Sequence, residues 1–158
     1  MFRFATKESP RLKRLRSISL FQDLSVRELV IVDLLLHERR YLAGEVVFDA
    51  GEDGQGIYFA LDGRIGIFHP GHSNTPLAEL GGGSFFGELA LLDDSPRMAQ
   101  ARALDDSTLA VMFRGEFVGL LQTHALIASK ISLQLARHLG QRLRSISLPQ
   151  PQPQEVVA

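Results

Sequence analysis

The sequence predicts a mainly β domain with α-helices on either side of the strands, and three observations carry that expectation. Between residues 44 and 71, seven glycines cut the chain into short runs rich in Val, Ile, Phe and Tyr, the mark of short strands joined by tight turns. The residues ahead of this stretch show apolar positions at helical spacing, and so do those beyond Arg114. A chain of 158 residues, 45% of them hydrophobic, is long enough to bury one compact core.

In chain order, Ser9-Pro10 reads as a helix start, with Ser as the cap and Pro tolerated in the first turn. Leu12, Leu15 and Ile18 follow on one face. Ser25 with Glu28 three residues later is a capping-box signature ahead of the apolar run 29–36, which reads as a second helix. From about Tyr41 the period becomes that of strands. Residues 57–61 and 64–68 flank Asp62-Gly63, a hairpin signal, because a two-residue turn of the favoured hand needs positive φ. After Gly81, Gly82 and Gly83, two more strands are expected over 99–104 and 108–113. Strands at this spacing suggest a β-roll or barrel. A short helix over 116–122 and a longer one over 125–144 close the pattern. In the longer one, Ile127, Ile131, Leu135, Leu139 and Leu143 recur at four-residue steps. That stripe drifts around a helix, which suits packing onto the roll and leaves a homodimer through this helix open. The organisation expected is a basic helical segment over 1–20, a binding domain over 21–145, and a disordered Pro/Gln-rich tail over 146–158.

Composition removes several chemistries. There is no cysteine, which excludes disulfides, thiol nucleophiles and cysteine-held metals. No apolar run reaches bilayer length and the first residues lack a signal-peptide core, so a soluble cytoplasmic protein is expected. The net charge of −1 hides a segregation: +5 over residues 1–20, +3 over 130–158 and −9 between them. An acidic body with basic ends is not the converging basic face of a nucleic-acid reader, and no direct nucleic-acid partner is expected. Any anion site in the body must be built locally.

Residues 85–102, FFGELALLDDSPRMAQAR, supply such a site. Gly87 permits an unusual backbone conformation ahead of a short helix beginning Glu88-Leu89-Ala90, whose first N–H groups have no partner inside the helix. Asp93-Asp94-Ser95-Pro96 turns the chain back and delivers Arg97, whose guanidinium can grip a phosphate in a two-point fork. An ionised Glu88 can accept from a sugar hydroxyl. A carboxylate and a guanidinium around a ribose phosphate read as nucleotide recognition. The plain alternative is that Arg97 pairs with Asp93 or Asp94 at the surface while Glu88 merely favours the helix dipole.

The run Phe86-Gly87-Glu88-Leu89-Ala90-Leu91-Leu92, then three residues, then Pro96-Arg97-Met98-Ala99, resembles the phosphate-binding cassette of the cyclic nucleotide-binding domains. These occur in the catabolite activator protein, the protein kinase A regulatory subunit and cyclic-nucleotide-gated channels. LFQDLS at 20–25, Gly44-Glu45, Gly51-Glu52 and residues 58–63 fit the same frame, so the resemblance spans roughly residues 15–140. It implies a β-roll of about eight strands with helices before and after it. It also implies that Glu88 binds the ribose 2′-hydroxyl and Arg97 the cyclic phosphate, with the amides of Gly87, Leu89, Ala90 and Met98 or Ala99 around the phosphate. Met98 stands where cyclic-GMP-selective members tend to carry a hydroxyl, so cyclic AMP is expected ahead of cyclic GMP. Gln100 departs from the common Thr or Ser and leaves the base contact open. Ile127, Lys130, Ile131 and Gln134 are the candidates for covering the base from the long helix.

Other candidates weigh less. His69 and His72 lie in an expected hairpin loop without a third ligand, so no metal site is expected. Ser84 lacks a nucleophile elbow, and the strands carry no His-x-His pair of a β-barrel metalloenzyme. His124 and His138 are expected on solvated helix faces. One feature stands outside the functional reading: RLRSISL occurs at 14–20 and again at 142–148. The function expected is a free-standing cyclic nucleotide sensor, not an enzyme, that needs no cofactor. Its C-terminal helix rearrangement would signal to an unidentified effector protein. A ligand-independent interaction module, or the N-terminal part of a transcriptional regulator, are the alternatives.

Overall fold

The computed structural model describes residues 8–72 and 74–147. The first seven residues and 148–158 of the expected tail lie outside them, whereas Ile146 and Ser147, expected to begin that disordered tail, continue the last helix, whose backbone bonding runs on past Arg144. Helix α1 (Pro10–Arg16) is capped by Ser9, whose hydroxyl accepts from the Leu12 amide at 3.2 Å. A 3₁₀ turn (Ser19–Phe21) leads to α2 (Val26–Asp33). The capping box is formed in both directions: Glu28 N–H donates to Ser25 Oγ at 3.2 Å, and Ser25 N–H donates to Glu28 Oε1 at 3.0 Å. Helix α2 stops three residues short of the expected Leu36. The chain turns there so that Leu36 is buried while Leu34 faces solvent, and His37 can begin pairing with Val111.

Eight strands follow: β1 (His37–Tyr41), β2 (Val46–Phe48), β3 (Gly56–Asp62), β4 (Ile65–Phe68), β5 (Ala78–Leu80), β6 (Phe85–Phe86), β7 (Gln100–Ala103) and β8 (Ser107–Phe113). They form two four-stranded antiparallel sheets, ordered β1-β8-β3-β6 and β2-β7-β4-β5. Side chains on β3 and β8 alternate between two cores, as the two-residue period of a strand requires. Ile57, Phe59, Ala110 and Met112 face a helical core with Leu15, Ile18, Phe21 and Leu29, and Phe21 packs on Phe59 with ring centroids 4.8 Å apart. Ala60 and Leu109 face the interior of the roll with Phe48, Ile65, Phe86, Ala101 and Ala103.

The turn at Asp62-Gly63 is present, but it does not close a hairpin. Both edges of β3 are already taken, by β8 and β6, so the chain crosses to the other sheet, where β4 pairs with β5 and β7. Gly63 is still required: its φ is +90°, and a Cβ there would lie 2.2 Å from Ser107 Oγ. Beyond β8, α3 (Arg114–Thr123) and α4 (Ala125–Ser147) fold back over the first sheet. Ile127, Ile131 and Leu135 are buried, whereas Leu143 is exposed, which is the drift the four-residue steps predicted. No described helix is long and apolar enough to cross a membrane.

Candidate functional site

The 3₁₀ helix Glu88–Leu91 follows β6 and is entered through Gly87 in the left-handed region at φ +72°. A Cβ on Gly87 would lie 2.5 Å from Arg97 Nη1, so glycine allows both the turn and the close approach of the arginine. The return segment is held by strand-like bonds. Arg97 N–H donates to Glu52 O at 2.7 Å and Gly51 N–H to Arg97 O at 2.8 Å, next to a bridge between Asp53 and Pro96. Asp93 accepts from the Ser95 amide at 3.0 Å, and that bond holds its carboxyl below the usual carboxylate range.

These constraints aim the Arg97 guanidinium inward. Nη1 donates to Gly87 O at 3.1 Å and Nη2 to Gly56 O at 2.8 Å, and the Cζ lies 4.1 Å from the Phe48 ring centroid. Phe48, Tyr58 and Phe86 form an aromatic floor, with Tyr58 and Phe86 stacked at 5.4 Å. Burial pulls the pKa of Arg97 below the ordinary guanidinium value, against the pull of Tyr58, Glu52 and Glu88. It nonetheless stays charged, as arginine does in proteins. Its Nε is buried without a hydrogen-bond partner, and no described carboxylate forms an ion pair with it. The pairing with Asp93 or Asp94 that would have explained Arg97 away is absent among the described residues.

A cavity of about 590 Å³ opens in front of this guanidinium, within the range of small-molecule sites. Phe86, Gly87, Glu88, Leu89, Ala90, Arg97, Met98 and Ala99 all line it. Met98 stands exposed at its rim, and the Ala90 amide is engaged with Gly87 O at 3.2 Å. Gln100 lies outside the lining, where its amide donates to Asp49 Oδ1 at 2.6 Å. Glu88 is only 4% exposed, and its Oε1 accepts from Arg142 Nη1 at 2.6 Å, with His138 Nε2 at 3.8 Å.

Arg142 and His138 both come from α4, and sequence reasoning missed them. The four residues expected to cover a base point elsewhere. Ile127 and Ile131 are in the helical core, Lys130 donates to Glu28 at 2.8 Å, and Gln134 donates to Asp23. His138, expected on a solvated face, instead packs on Phe85 at 4.6 Å. The signal was available: 138 and 142 continue the four-residue step from 134, one and two turns further along the same face. The apolar end of the cavity, with Ile67, Leu77 and Leu80, also went unread, because β4 and β5 carry no motif. His69 and His72 touch at 5.6 Å in the β4–β5 loop, and no cluster of three metal-ligating side chains exists among the described residues.

Comparison with known proteins matches residues 38–124 to the family model described as the cyclic nucleotide-binding domain. The cyclic AMP receptor protein of Thermus thermophilus is 34% identical over 122 residues, which cover 76% of this chain and 56% of that protein. The chain thus spans about half the length of that relative. The crystal structure of Thermus thermophilus catabolite activator protein aligns with a TM-score of 0.70 at 32% identity, covering 81% of this chain and 61% of that one. A cyclic nucleotide-binding domain from Methylobacillus flagellatus shares the fold, with a TM-score of 0.74 at 22% identity over 89% of this chain and 84% of its own.

Proposed function

The chain belongs to the cyclic nucleotide-binding domain family, and we propose on that premise that it is a cyclic AMP sensor whose C-terminal helices pass the signal to a partner protein. The observation that carries the reading is Arg97: a half-buried cation with no carboxylate partner among the described residues and a buried, unpartnered Nε, facing a cavity that also holds the buried Glu88. A cyclic phosphate is a singly charged anion with two free oxygens, suited to the guanidinium fork and the amides at Gly87 and Leu89. Glu88 is the acceptor for the ribose 2′-hydroxyl. Ile67, Leu77, Leu80 and Met98 offer the base an apolar slot. Met98, directly after Arg97, has no hydroxyl to meet the guanine amino group, which favours cyclic AMP over cyclic GMP.

Ligand and helix meet at Glu88. Its carboxylate is held by Arg142, so a ribose hydroxyl competes with α4 for the same carboxylate. Occupancy therefore shifts the population of α4 positions, and that shift is the signal. The family's role is binding, and no reaction is assigned to the domain. A second reading, an interaction module that works without ligand, is favoured by one fact: Arg97 and Glu88 both already have internal partners.

Titration calorimetry with cyclic AMP and cyclic GMP separates the two. The native chain should bind cyclic AMP more tightly, and Arg97→Lys should weaken it about 100-fold, the scale of losing a charge-assisted two-point contact. Glu88→Gln should cost about tenfold. A native chain that binds neither nucleotide makes the interaction module the better reading.

A further inference from the structure

Two arginines hold one three-residue segment. Gly54, Gln55 and Gly56 run into β3, and each of their carbonyls accepts from Arg97 or Arg114. Arg97 Nη2 donates to Gly56 O at 2.8 Å, the Arg114 amide to Gln55 O at 2.8 Å, and Arg114 Nη1 to Gly54 O at 3.4 Å. The same Nη1 lies within hydrogen-bond reach of Ala90 O at 3.3 Å and of Asp93 O. These two carbonyls lie at and just past the end of the 3₁₀ helix that follows Gly87, where carbonyls have no partner inside the helix and carry its negative end. Gly54 is pressed into the same joint: a Cβ there would stand 3.0 Å from Ala90 Cβ and 3.5 Å from Arg97 Cζ.

We propose that Arg114 is a positioning residue that joins the 88–93 turn to α3, so that the state of Arg97 is transmitted to the C-terminal helices. The inference deepens the sensor reading and rests on it for the identity of the ligand. Arg114 is the first residue of α3, and α3 packs on α4, which carries Arg142 and His138. When an anion draws Arg97 away from Gly56 O and Gly87 O, both the approach loop and the 3₁₀ helix are free to shift. One guanidinium grips carbonyls of each, so a shift of either is felt at the start of α3. Without the Arg114 side chain the turn loses its hydrogen bonds to the first residue of α3, and the approach loop keeps only the backbone bond from the Arg114 amide to Gln55 O.

Arg114→Met keeps the length of the side chain and removes its donors, and Arg114→Lys keeps one charged donor group. The test is hydrogen exchange on the full chain with and without cyclic AMP, alongside calorimetry. Without ligand, the 88–93 amides of Arg114→Met should exchange about tenfold faster or more, while those of β3 and β8 stay unchanged. With ligand, affinity should remain within about tenfold of native, while the ligand-induced change in protection over 114–145 falls by at least half. Arg114→Lys should restore part of both effects. Native-like exchange at 88–93 in Arg114→Met, or an undiminished ligand response in α3 and α4, overturns the proposal. So does loss of protection across the whole roll, which would make Arg114 a general stability element. A native chain that binds no cyclic nucleotide refutes the sensor reading instead, and the ligand-free exchange still decides whether Arg114 joins the turn to α3.

Discussion

RLRSISL occurs twice, and the two copies meet opposite fates. In the first, α1 ends at Arg16, Ile18 is extended at ψ 124°, and a 3₁₀ turn begins at Ser19. Leu15 and Ile18 are fully buried. In the second, the helix runs through to Ser147, and Leu143 and Ile146, the matching residues, are 64% and 79% exposed. The local bonding is shared: Ser17 and Ser145 each donate to the carbonyl of the arginine three residues before, at 2.6 and 2.7 Å. Seven identical residues therefore do not decide between burial and exposure. What differs is the chain on either side. The first copy must turn to deliver Phe21 under Phe59, whereas the second extends a helix already more than four turns long, whose last turns leave Leu143 and Ile146 in solvent.

The strongest way to break the comparison is to truncate matching side chains. Leu15→Ala should cost about 2–5 kcal/mol, since it empties a fully buried site. Leu143→Ala should change stability by no more than about 0.5 kcal/mol. Urea unfolding of both variants checks this. Equal losses would mean that the second copy is buried in solution against something other than this chain's own roll.

The arginines of the two copies sharpen it further. Arg14 is exposed, while Arg142 reaches Glu88. If α4 competes with the ribose for that carboxylate, Arg142→Ala should tighten cyclic AMP binding by about three- to tenfold, the scale of one charge-assisted hydrogen bond. Arg14→Ala should leave affinity unchanged. Weaker binding in Arg142→Ala would instead make Arg142 a contact for the ligand itself.

Much of the architecture was legible because it is written locally. The capping box at Ser25 and Glu28, the glycine turns and the drift of the α4 stripe each depend on a few adjacent residues, and each appears as read. The candidate site was legible where one segment carries it: Gly87, Glu88 and Arg97 lie within eleven residues and line one cavity. The crossing at Asp62-Gly63 was not, because a turn sequence does not say whether both edges of the preceding strand are already occupied. Nor were His138 and Arg142 found. Their four-residue step from Gln134 marks the face they share, but which part of that face meets the cavity depends on how α4 packs against α3 and the Ser19–Phe21 turn. Arg114 was hidden for a similar reason, since its partners are backbone carbonyls, which leave no trace in side-chain patterns.

The smallest predicted effect concerns the other cation that α4 places on a carboxylate. Lys130 donates to Glu28 at 2.8 Å, anchoring α4 beside the first copy's core as Arg142 anchors it beside the cavity. The Lys130 bond, followed by the Ser25 amide, holds the Glu28 carboxyl below the usual glutamate range, against a smaller opposing effect of burial. A carboxyl depressed in the folded state stabilises the fold above its unfolded value, and that contribution is lost as pH falls through the folded value. Native stability should therefore decline between about pH 5 and pH 3 by more than that of Lys130→Met, in which the leading cause of the depression is gone. At neutral pH the same variant should lose about 0.3–1 kcal/mol, as partly exposed pairs do. Urea midpoints for both chains across that range give the comparison, and parallel curves would show that the pair contributes nothing to folding. Because neither Glu28 nor Lys130 lines the cavity, cyclic AMP affinity in Lys130→Met should stay native, which separates the tie that holds α4 in place from the tie that ligand is proposed to break.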